Sequence, residues 1–523
     1  MLKPKVLSLA LLALLLLLIV PAASSQDAVV WPTDGWPTST PEAQGLNSAE
    51  LARYVSTWLQ PQFNMDSLLV IRNGYLVAEA YTPLNGPENR HRTYSASKSV
   101  TGALIGVLLQ EGLLQSLDTP VLSLFPEREV ANVDARKETI TVRHLLMMAG
   151  GLDINDMQAA QLGVPDTTSL MEQSADWVQF ALDLPMAAEP GSQWYYSNPG
   201  VHILSGIITQ LTGKSALDYA AEKLFTPLGI TDYYWPSSPA GVSIGYAELE
   251  LTPRDMAKIG YLYLNDGQWD GRQIIPADYA RASLGRQINT PFGDPNTVYG
   301  YLWWRLDAQN FSFALGHGGQ YIIVLPDKDL VVVTTGGMTE DLRVMLNGYG
   351  MFFNTVALAA AEAALPANPE AVAQLEAAIA GVQQPEAAAV PTLPPLAARI
   401  SGRPFYLFNP RLFVPGDFAK RFFDYEGLTQ SLYVQTLALK FDSSAEALMT
   451  VGFTDNTTWA IPVGLDGLYR PAEGRLGKVG AKGEWVADDL FHVYMKDVGK
   501  GWLHIFDINY VPGAAPEAQG GSM

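Results

Sequence analysis

The chain contains no cysteine, few charged residues and few histidines. Of its 523 residues, 16% are charged, 6 are histidine and none is cysteine. Without cysteine there is no disulfide, no thiolate metal ligand and no thiol redox chemistry. The histidines show neither the H-x-x-x-H nor the H-E-x-x-H spacing of a zinc site. We therefore expect no metal and no cofactor.

Basic residues are scarce relative to acidic ones. The chain has 33 lysines and arginines against 53 aspartates and glutamates, which gives a formal net charge of −20. A field of that sign repels phosphate groups, so it argues against nucleic acid and anionic lipid surfaces as partners. A small-molecule or peptide-like substrate fits this charge better.

Long hydrophobic runs are confined to the N-terminus. Two lysines precede an apolar run over residues 6–20, and small residues follow up to Ser25. This is the form of a secretory signal peptide, so residues 1–25 predict export to the periplasm or the extracellular space. An uncleaved membrane anchor is the alternative, because the uncharged span approaches the length of a membrane helix.

Two strands joined by a tight turn give the clearest local signal. Residues 67–81 are rich in apolar and β-branched side chains, and Asn73-Gly74 in their middle is typical of a two-residue hairpin. The pattern is mostly helical over residues 95–264, strands return over residues 320–335, and a closing helix is expected over residues 344–365. We predict an α/β (α+β) fold in which hairpin and late strands share one antiparallel sheet, flanked by helices, with the helical middle as an insertion.

Ser95 and Lys98 form an S-x-x-K arrangement, and no other lysine of the chain has a serine three places before it. The apolar residues that follow cover most of the circumference of a helix, as expected when nearly all its sides are buried. Ser95 would lie at the helix N-terminus, with Lys98 one turn later on the same face. A desolvated lysine can accept the serine proton and so create a nucleophile. A capping serine followed by a surface lysine is the alternative.

Tyr196 and Asn198 occupy a loop that could complete such a site. A tyrosine beside a lysine ammonium has its phenolate favoured and can relay a proton to a leaving group. Asn198 could orient Lys98 or a substrate amide. The Tyr-x-Asn pattern recurs at residues 263–265, so it is uninformative by itself. Its place about 100 residues after Ser95 is what makes it a candidate.

A glycine-rich strand entry supplies the third candidate segment. It consists of His317, Gly318, Gly319 and Gln320. Gly319 would let the strand backbone approach an acyl group closely. The backbone N–H groups of Ser95 and Gln320 could then form an oxyanion hole.

In this order the three segments resemble the serine β-lactamase and penicillin-binding-protein superfamily. The resemblance is to its class C-like branch of esterases, D-aminopeptidases, carboxypeptidases and 6-aminohexanoate-dimer hydrolases, and it spans about residues 41–365. It implies a β-lactamase/transpeptidase-like fold and cleavage of an ester or amide through an acyl-Ser95 intermediate. By this resemblance Lys98 and Tyr196 share the acid and base work, and His317 to Gly319 replace the family's Lys-Thr-Gly strand.

That replacement changes what the site can bind. A histidine is mostly neutral at pH 7, and Gly318 offers no hydroxyl, so recognition of a substrate carboxylate is weakened. Ester or amide hydrolysis is therefore the favoured function. A true β-lactamase or carboxypeptidase is one alternative, and a non-catalytic acyl-binding or sensing module is another. Residues 241–245 also match G-x-S-x-G, but they lack the apolar strand that must precede a nucleophile elbow.

The composition changes beyond residue 365. Residues 366–397 are rich in Ala, Pro and Glu, which predicts a short helix and a semi-rigid linker. Residues 399–511 carry strand signals at residues 431–441, 447–453, 490–495 and 502–508, with a hairpin turn at residues 497–501, and predict a small antiparallel β-barrel or sandwich. Some relatives in the resembled family carry a lipocalin-like barrel in this place. Residues 513–523 are expected to be a disordered tail.

Overall fold

The computed structural model describes residues 29–157, 164–292, 296–337, 356–357, 359–390, 392–406, 434–441, 445–474, 477–501 and 503–509. The predicted signal peptide and the predicted tail lie outside these ranges. Within them, no helix is both long enough and apolar enough to cross a membrane.

The helices of the described ranges are concentrated in the middle of the chain, as predicted. They are α1 (Ser48–Trp58), α2 (Ser97–Gln110), α3 (Val142–Leu146), α4 (Thr167–Glu172), α5 (Trp177–Asp183), α6 (Asn198–Thr212), α7 (Ala216–Ala220), α8 (Thr226–Leu228), α9 (Pro253–Leu264), α10 (Ala277–Leu284), α11 (Pro369–Gln383) and α12 (Pro395–Ile400).

The longer strands form a first group before and after the helical middle and a second group near the C-terminus, and short two-residue strands lie in between. They are β1 (Met65–Arg72), β2 (Tyr75–Tyr81), β3 (His91–Arg92), β4 (Tyr233–Tyr234), β5 (Glu250–Leu251), β6 (Gln268–Trp269), β7 (Arg272–Gln273), β8 (Ile288–Asn289), β9 (Thr297–Tyr299), β10 (Trp304–Leu306), β11 (Phe311–Gly316), β12 (Gln320–Leu325), β13 (Leu330–Gly336), β14 (Pro404–Tyr406), β15 (Val434–Lys440), β16 (Glu446–Phe453), β17 (Thr458–Gly464), β18 (Arg470–Gly474), β19 (Gly477–Ala487), β20 (Leu490–Asp497) and β21 (Leu503–Asn509).

The early hairpin and the late strands share one antiparallel sheet, which confirms the predicted arrangement. Its order is β2-β1-β13-β12-β11-β10-β9-β8. Leu69 of β1 faces Glu79 of β2 on one side and Val333 of β13 on the other. Asn73 and Gly74 have φ angles of 51° and 80°, and two positive φ values in succession are what a tight two-residue hairpin requires.

This sheet is covered by helices on both faces. Leu69 and Ile71 lie in a core shared with α2, α6 and α9, whereas Leu68 and Val70 lie in a second core with α1 and α11. Because successive residues of a strand point to opposite faces, a strand covered on both sides needs apolar residues at every position. This explains why residues 68–71 of β1 form a continuous apolar run rather than an alternation.

The helix predicted to close this region is not present in its final residues. Its earlier part, up to residue 355, lies outside the described ranges. Residues 359–365 form turns instead, because their backbone pairs with the segment that precedes α1: Ala361 N donates to Gly45 O at 2.8 Å and Leu365 N to Glu42 O at 2.7 Å.

The Ala/Pro-rich segment begins with the 15-residue helix α11. Asn368 caps this helix by accepting a hydrogen bond from Ala371 N. Leu375 of α11 is buried in the second core, with Ile379 packed against that core. This part of the segment therefore packs on one face of the eight-stranded sheet.

The C-terminal strands form one sheet around a core of their own. Its order is β14-β15-β16-β17-β19-β20-β21, with β18 paired to β19. Strands β15, β16, β20 and β21 lie where strand signals predicted them, but β14, β17, β18 and β19 were not predicted. Pro462 interrupts the signal of β17, and β19 carries three glycines, so neither has typical strand composition. Ile461 and Val479 of these strands are nevertheless buried in the shared core.

An interdomain seam joins the two units. It comprises Asp66 and His91 of the first unit, together with Lys496 and the turn at residues 498–501 of the second. Lys496 Nζ lies 2.5 Å from Asp66 Oδ1, and both side chains are buried. His91 Nδ1 lies 3.7 Å from the other oxygen of Asp66. The seam is therefore built around a buried ion pair.

Candidate active site

Ser95 and Lys98 lie where α2 begins. Ser95 belongs to a 3₁₀ turn, Tyr94–Ala96, which leads directly into the helix. Three residues make about one helical turn, so Lys98 returns to the side of Ser95, and Lys98 Nζ lies 2.9 Å from Ser95 Oγ. The same amine donates to Tyr246 O at 2.7 Å. The predicted pairing of the two side chains is thus present in the geometry.

Lys98 is enclosed by the protein and is only 2% exposed. Burial lowers the pKa of Lys98 well below its usual value, and the negative charge of Asp156 only partly opposes this. Apart from these groups, its surroundings are the faces of two aromatic rings, with Nζ 4.7 Å from the ring centre of Tyr196 and 5.8 Å from that of Tyr246. An amine in this environment is able to accept the Ser95 proton.

Tyr196 reaches the same point from the loop before α6, and its hydroxyl is hydrogen-bonded to Ser95. Burial raises the pKa of Tyr196 above its ordinary value, and the hydrogen bond to Ser95 opposes this shift only in part. The expectation of a phenolate is therefore wrong for the free protein: with Lys98 desolvated, the phenol keeps its proton. Tyr196 is placed to donate a proton before it accepts one.

Asn198 is the first residue of α6, and Ser197 caps this helix by accepting from Gly200 N at 2.9 Å. Asn198 Nδ2 donates to Thr168 Oγ1 at 3.1 Å. Among the residues that the structure describes, Asn198 Oδ1 is buried without a hydrogen-bond partner. The amide is thus held by Thr168 and not by Lys98.

Asp156 and Thr168 are two residues that the sequence did not single out. Thr168 donates to Asp156 from its backbone N–H at 2.9 Å and from its hydroxyl at 2.6 Å. A carboxylate only accepts hydrogen bonds, so the single hydroxyl proton of Thr168 is committed to Asp156. Thr168 Oγ1 can then only accept from Asn198. This relay decides which end of the Asn198 amide faces Thr168.

The glycine-rich segment forms the connection between β11 and β12. Gly318 and Gly319 have φ angles of +78° and +96°, a region that favours glycine, and a Cβ on Gly318 would lie 3.0 Å from Gly336 O. The ring of His317 packs edge-on against Tyr94, with 5.5 Å between ring centres. Because Tyr94 immediately precedes Ser95, the turn lies beside the proposed nucleophile.

Gln320 is the first residue of β12 and is buried. Its Nε2 donates to His317 O at 3.1 Å and to Gly336 O at 2.5 Å. The side chain therefore ties the His317 turn to the end of β13. Sequence reasoning considered only the backbone of Gln320 and missed this function of its side chain.

The G-x-S-x-G segment has a structural function. Ser243 is fully buried, and its Oγ accepts a hydrogen bond from Leu217 N at 3.1 Å. The segment ends next to Tyr246, whose carbonyl accepts from Lys98. Within the described parts of the chain, no group of three or more His, Asp or Glu side chains is placed to hold a metal ion.

An antiparallel sheet covered by helices, with an S-x-x-K pair at the start of a buried helix, is the arrangement of β-lactamase-like hydrolases. The beta-lactamase family pattern matches residues 53–339, which is more than half of the chain. The chain belongs to the beta-lactamase family of hydrolases.

Relatives with curated descriptions are identical to this chain at about a quarter of the aligned residues. The 6-aminohexanoate-dimer hydrolase of Paenarthrobacter ureafaciens is 24% identical over 285 residues, covering 51% of this chain and 71% of that protein. Penicillin-binding protein 4 of Amycolatopsis lactamdurans is 27% identical over 285 residues, covering 47% and 71%. Among solved structures, EstCE1, a hydrolase with promiscuous acyltransferase activity, aligns with a TM-score of 0.50 at 18% identity, over 58% of this chain and 99% of that one.

Proposed function

We propose that the protein is an exported serine hydrolase that cleaves an ester or amide through an acyl-Ser95 intermediate. The observation that carries this proposal is the 2.9 Å separation of Ser95 Oγ from Lys98 Nζ, together with the lowered pKa of that buried amine. A neutral amine at hydrogen-bond distance from a hydroxyl is the requirement for activating a serine without a histidine.

Acylation follows from this arrangement. Lys98 takes the Ser95 proton while Oγ bonds to the substrate carbonyl carbon, and backbone N–H groups of Ser95 and Gln320 stabilise the oxyanion. The protonated Tyr196 donates to the leaving group as its bond to the acyl carbon breaks, and the proton held by Lys98 restores the phenol. Water then attacks the acyl carbon while Lys98 Nζ accepts its proton, the bond between the acyl carbon and Ser95 Oγ breaks as Lys98 returns that proton to Oγ, and the acid is released.

The substrate is an uncharged or weakly charged ester or amide. His317 stands where the resembled family has a lysine, and Gly318 offers no hydroxyl, so a carboxylate beside the scissile bond meets no fixed cation there. This supports esterase or amidase activity over β-lactamase or carboxypeptidase activity. The relatives described as a 6-aminohexanoate-dimer hydrolase and as EstCE1, a hydrolase with acyltransferase activity, are consistent with this preference.

A panel of p-nitrophenyl esters, D-amino-acid amides and nitrocefin tests the proposal. We expect ester or amide turnover, labelling of Ser95 by a fluorophosphonate, and loss of about 10⁴-fold or more of the activity in Ser95→Ala. Full activity of Ser95→Ala on the best substrate would contradict the assignment of the nucleophile. No burst of p-nitrophenol release and no fluorophosphonate label on the wild-type protein would instead favour an acyl-binding module.

Export is tested by the mass of the protein recovered from the periplasm. Export predicts the loss of about residues 1–25.

A further inference from the structure

Tyr94, immediately before the proposed nucleophile, has a strained backbone. Its φ angle is +47°, in the left-handed region that bulky side chains rarely adopt. Such a conformation is unfavourable and persists only where the surrounding structure holds it. Since the backbone of Tyr94 sets the direction in which Ser95 leaves the turn, whatever holds Tyr94 also positions Ser95.

The contact that holds the Tyr94 side chain comes from the C-terminal unit. Tyr94 is buried, and its hydroxyl donates to Lys500 O at 2.9 Å. Lys500 lies in the turn at residues 498–501, which follows β20 and is more than 400 residues further along the chain. The Tyr94 ring also packs against His317, with 5.5 Å between ring centres.

This turn is itself fixed to the hydrolase unit on two sides. On the side of β3, Arg92 N donates to Gly499 O at 2.8 Å. On the side of β13, Asn64 Nδ2 donates to Gly501 O at 3.1 Å. Lys496, near the end of β20 and just before this turn, forms the buried ion pair with Asp66. The turn is thus hydrogen-bonded to the first unit on either side of Lys500.

The β13 contact also leads to the His317 turn. Gly501 packs so closely against Gly336 that a Cβ on Gly501 would lie 2.1 Å from Gly336 O. That oxygen accepts from Gln320 Nε2, which also binds His317 O. One turn of the β unit therefore contacts Tyr94, the residue before Ser95, directly and reaches the His317 turn through Gly336 and Gln320.

We propose that residues 498–501 of the β unit are a positioning element for the active site, which holds Tyr94 and the end of β13 so that Ser95 and His317 keep their reactive arrangement. This inference rests on the proposed acyl-Ser95 chemistry and assigns a role in it to the C-terminal unit. A purely structural seam would instead affect stability and leave the acylation rate unchanged.

Two glycines of the β unit provide a matched pair of variants. Gly501 and Gly477 have similar φ angles, +74° and +85°, so alanine strains the backbone at either position, but a Cβ on Gly477 would meet nothing within 4 Å. We expect Gly501→Ala to lower the rate constant for fluorophosphonate labelling of Ser95 by about 10-fold or more, and Gly477→Ala to change it less than about 2-fold. Both full-length variants are compared at a temperature where circular dichroism shows them folded.

Tyr94→Phe is the conservative variant and removes only the hydroxyl that binds Lys500 O. We expect a loss of about 3- to 10-fold in kcat with KM nearly unchanged. We expect no further loss when it is combined with Gly501→Ala, because displacing the turn from Gly336 also moves Lys500 O away from the Tyr94 hydroxyl. If Gly501→Ala does not fold, Tyr94→Phe alone tests the positioning role.

Wild-type labelling rates in Gly501→Ala and Tyr94→Phe, with only lower thermal stability, would overturn the positioning role. That result is distinct from failure of the proposed function, which is seen in the wild-type protein itself as absence of Ser95 labelling. With Ser95 labelled in the wild type, the variants test the positioning role alone.

Discussion

The proposed cleft and the interdomain seam each bury a lysine, and they surround it differently. Lys98 in the cleft is 2% exposed and faces a hydroxyl and a carbonyl oxygen. Lys496 in the seam is 6% exposed and lies 2.5 Å from a carboxylate oxygen of Asp66. Burial disfavours a charge unless a counter-charge is in contact with it. The same residue type therefore lies beside a hydroxyl in one region, where we propose that it accepts a proton, and beside a carboxylate in the other.

The largest expected effect is the loss of activity in Lys98→Met. Methionine keeps much of the side-chain volume but cannot take the Ser95 proton, so we expect kcat to fall by about 10⁴-fold. Because the buried amine lacks a contacting carboxylate, its removal should leave the urea unfolding midpoint unchanged or raised. The rate of hydrolysis of the best ester checks the expected loss of activity, and urea unfolding checks the expected stability. Retention of more than a few per cent of the activity would remove Lys98 from the mechanism.

Lys496→Met should do the opposite and destabilise the fold. It leaves the Asp66 carboxylate buried without its cation, which is unfavourable by about 3 to 5 kcal/mol. Lys482 on the neighbouring strand β19 is the control, since it lies over the rings of Tyr469 and Tyr494, and Lys482→Met should cost about 1 kcal/mol. Urea unfolding compares them. Equal losses would mean that the Asp66 ion pair has no special weight in the seam.

The seam also predicts how stability depends on pH. Burial lowers the pKa of His91 to about 4, with the positive charge of Lys496 acting in the same direction and Asp66 against it. The unfolded chain binds this proton near pH 6.5, so the His91 contribution to stability is complete above pH 6.5 and is lost as pH falls towards 4. The loss amounts to about 3 kcal/mol.

His91→Gln should flatten the curve of unfolding free energy against pH between pH 6.5 and 4, by about 1.4 kcal/mol per pH unit at most. His202, fully buried beside Trp177 with its pKa lowered to about 3, remains in both proteins. Its share of the acid sensitivity should therefore persist in the variant. An unchanged slope in His91→Gln would show that His91 is protonated without cost in the folded protein.

The smallest effect concerns the relay beside the cleft. Thr168→Val removes the hydroxyl between Asp156 and Asn198, whereas Thr168→Ser keeps it. We expect kcat/KM to fall about 10-fold in Thr168→Val, because the Asn198 amide loses its fixed orientation. The serine variant should recover most of the activity. Similar losses in both variants would mean that the threonine methyl group, and not the hydrogen bond, matters.

Local patterns predicted the parts of the fold that depend on neighbouring residues. The hairpin around Asn73-Gly74 and the pairing of the early and late strands follow from apolar periodicity and turn chemistry. Strand β19 was missed because its glycines and charged residues are tolerated only where neighbouring strands bury its few apolar side chains. The composition of this segment does not show which strands lie beside it in the folded protein.

The state of Tyr196 shows a second limit of sequence reasoning. The sequence predicted that it lies near Ser95 and Lys98, but it also predicted a phenolate. Its protonation depends on how much water the folded site excludes, and burial raises its pKa. Desolvation is a sum over many surrounding groups, so no motif of three residues can report it.

By itself, the sequence determined the spacing of Ser95 and Lys98, because residues three apart on a helix share a face whatever surrounds them. Only the tertiary structure decided that Tyr246 O receives the lysine, that Asp156 and Thr168 orient Asn198, and that Lys500 O holds Tyr94. The physical reason is distance along the chain. A helix sets geometry through bonds between adjacent residues, whereas these contacts join segments tens to hundreds of residues apart, which come together only when the two cores and the seam form.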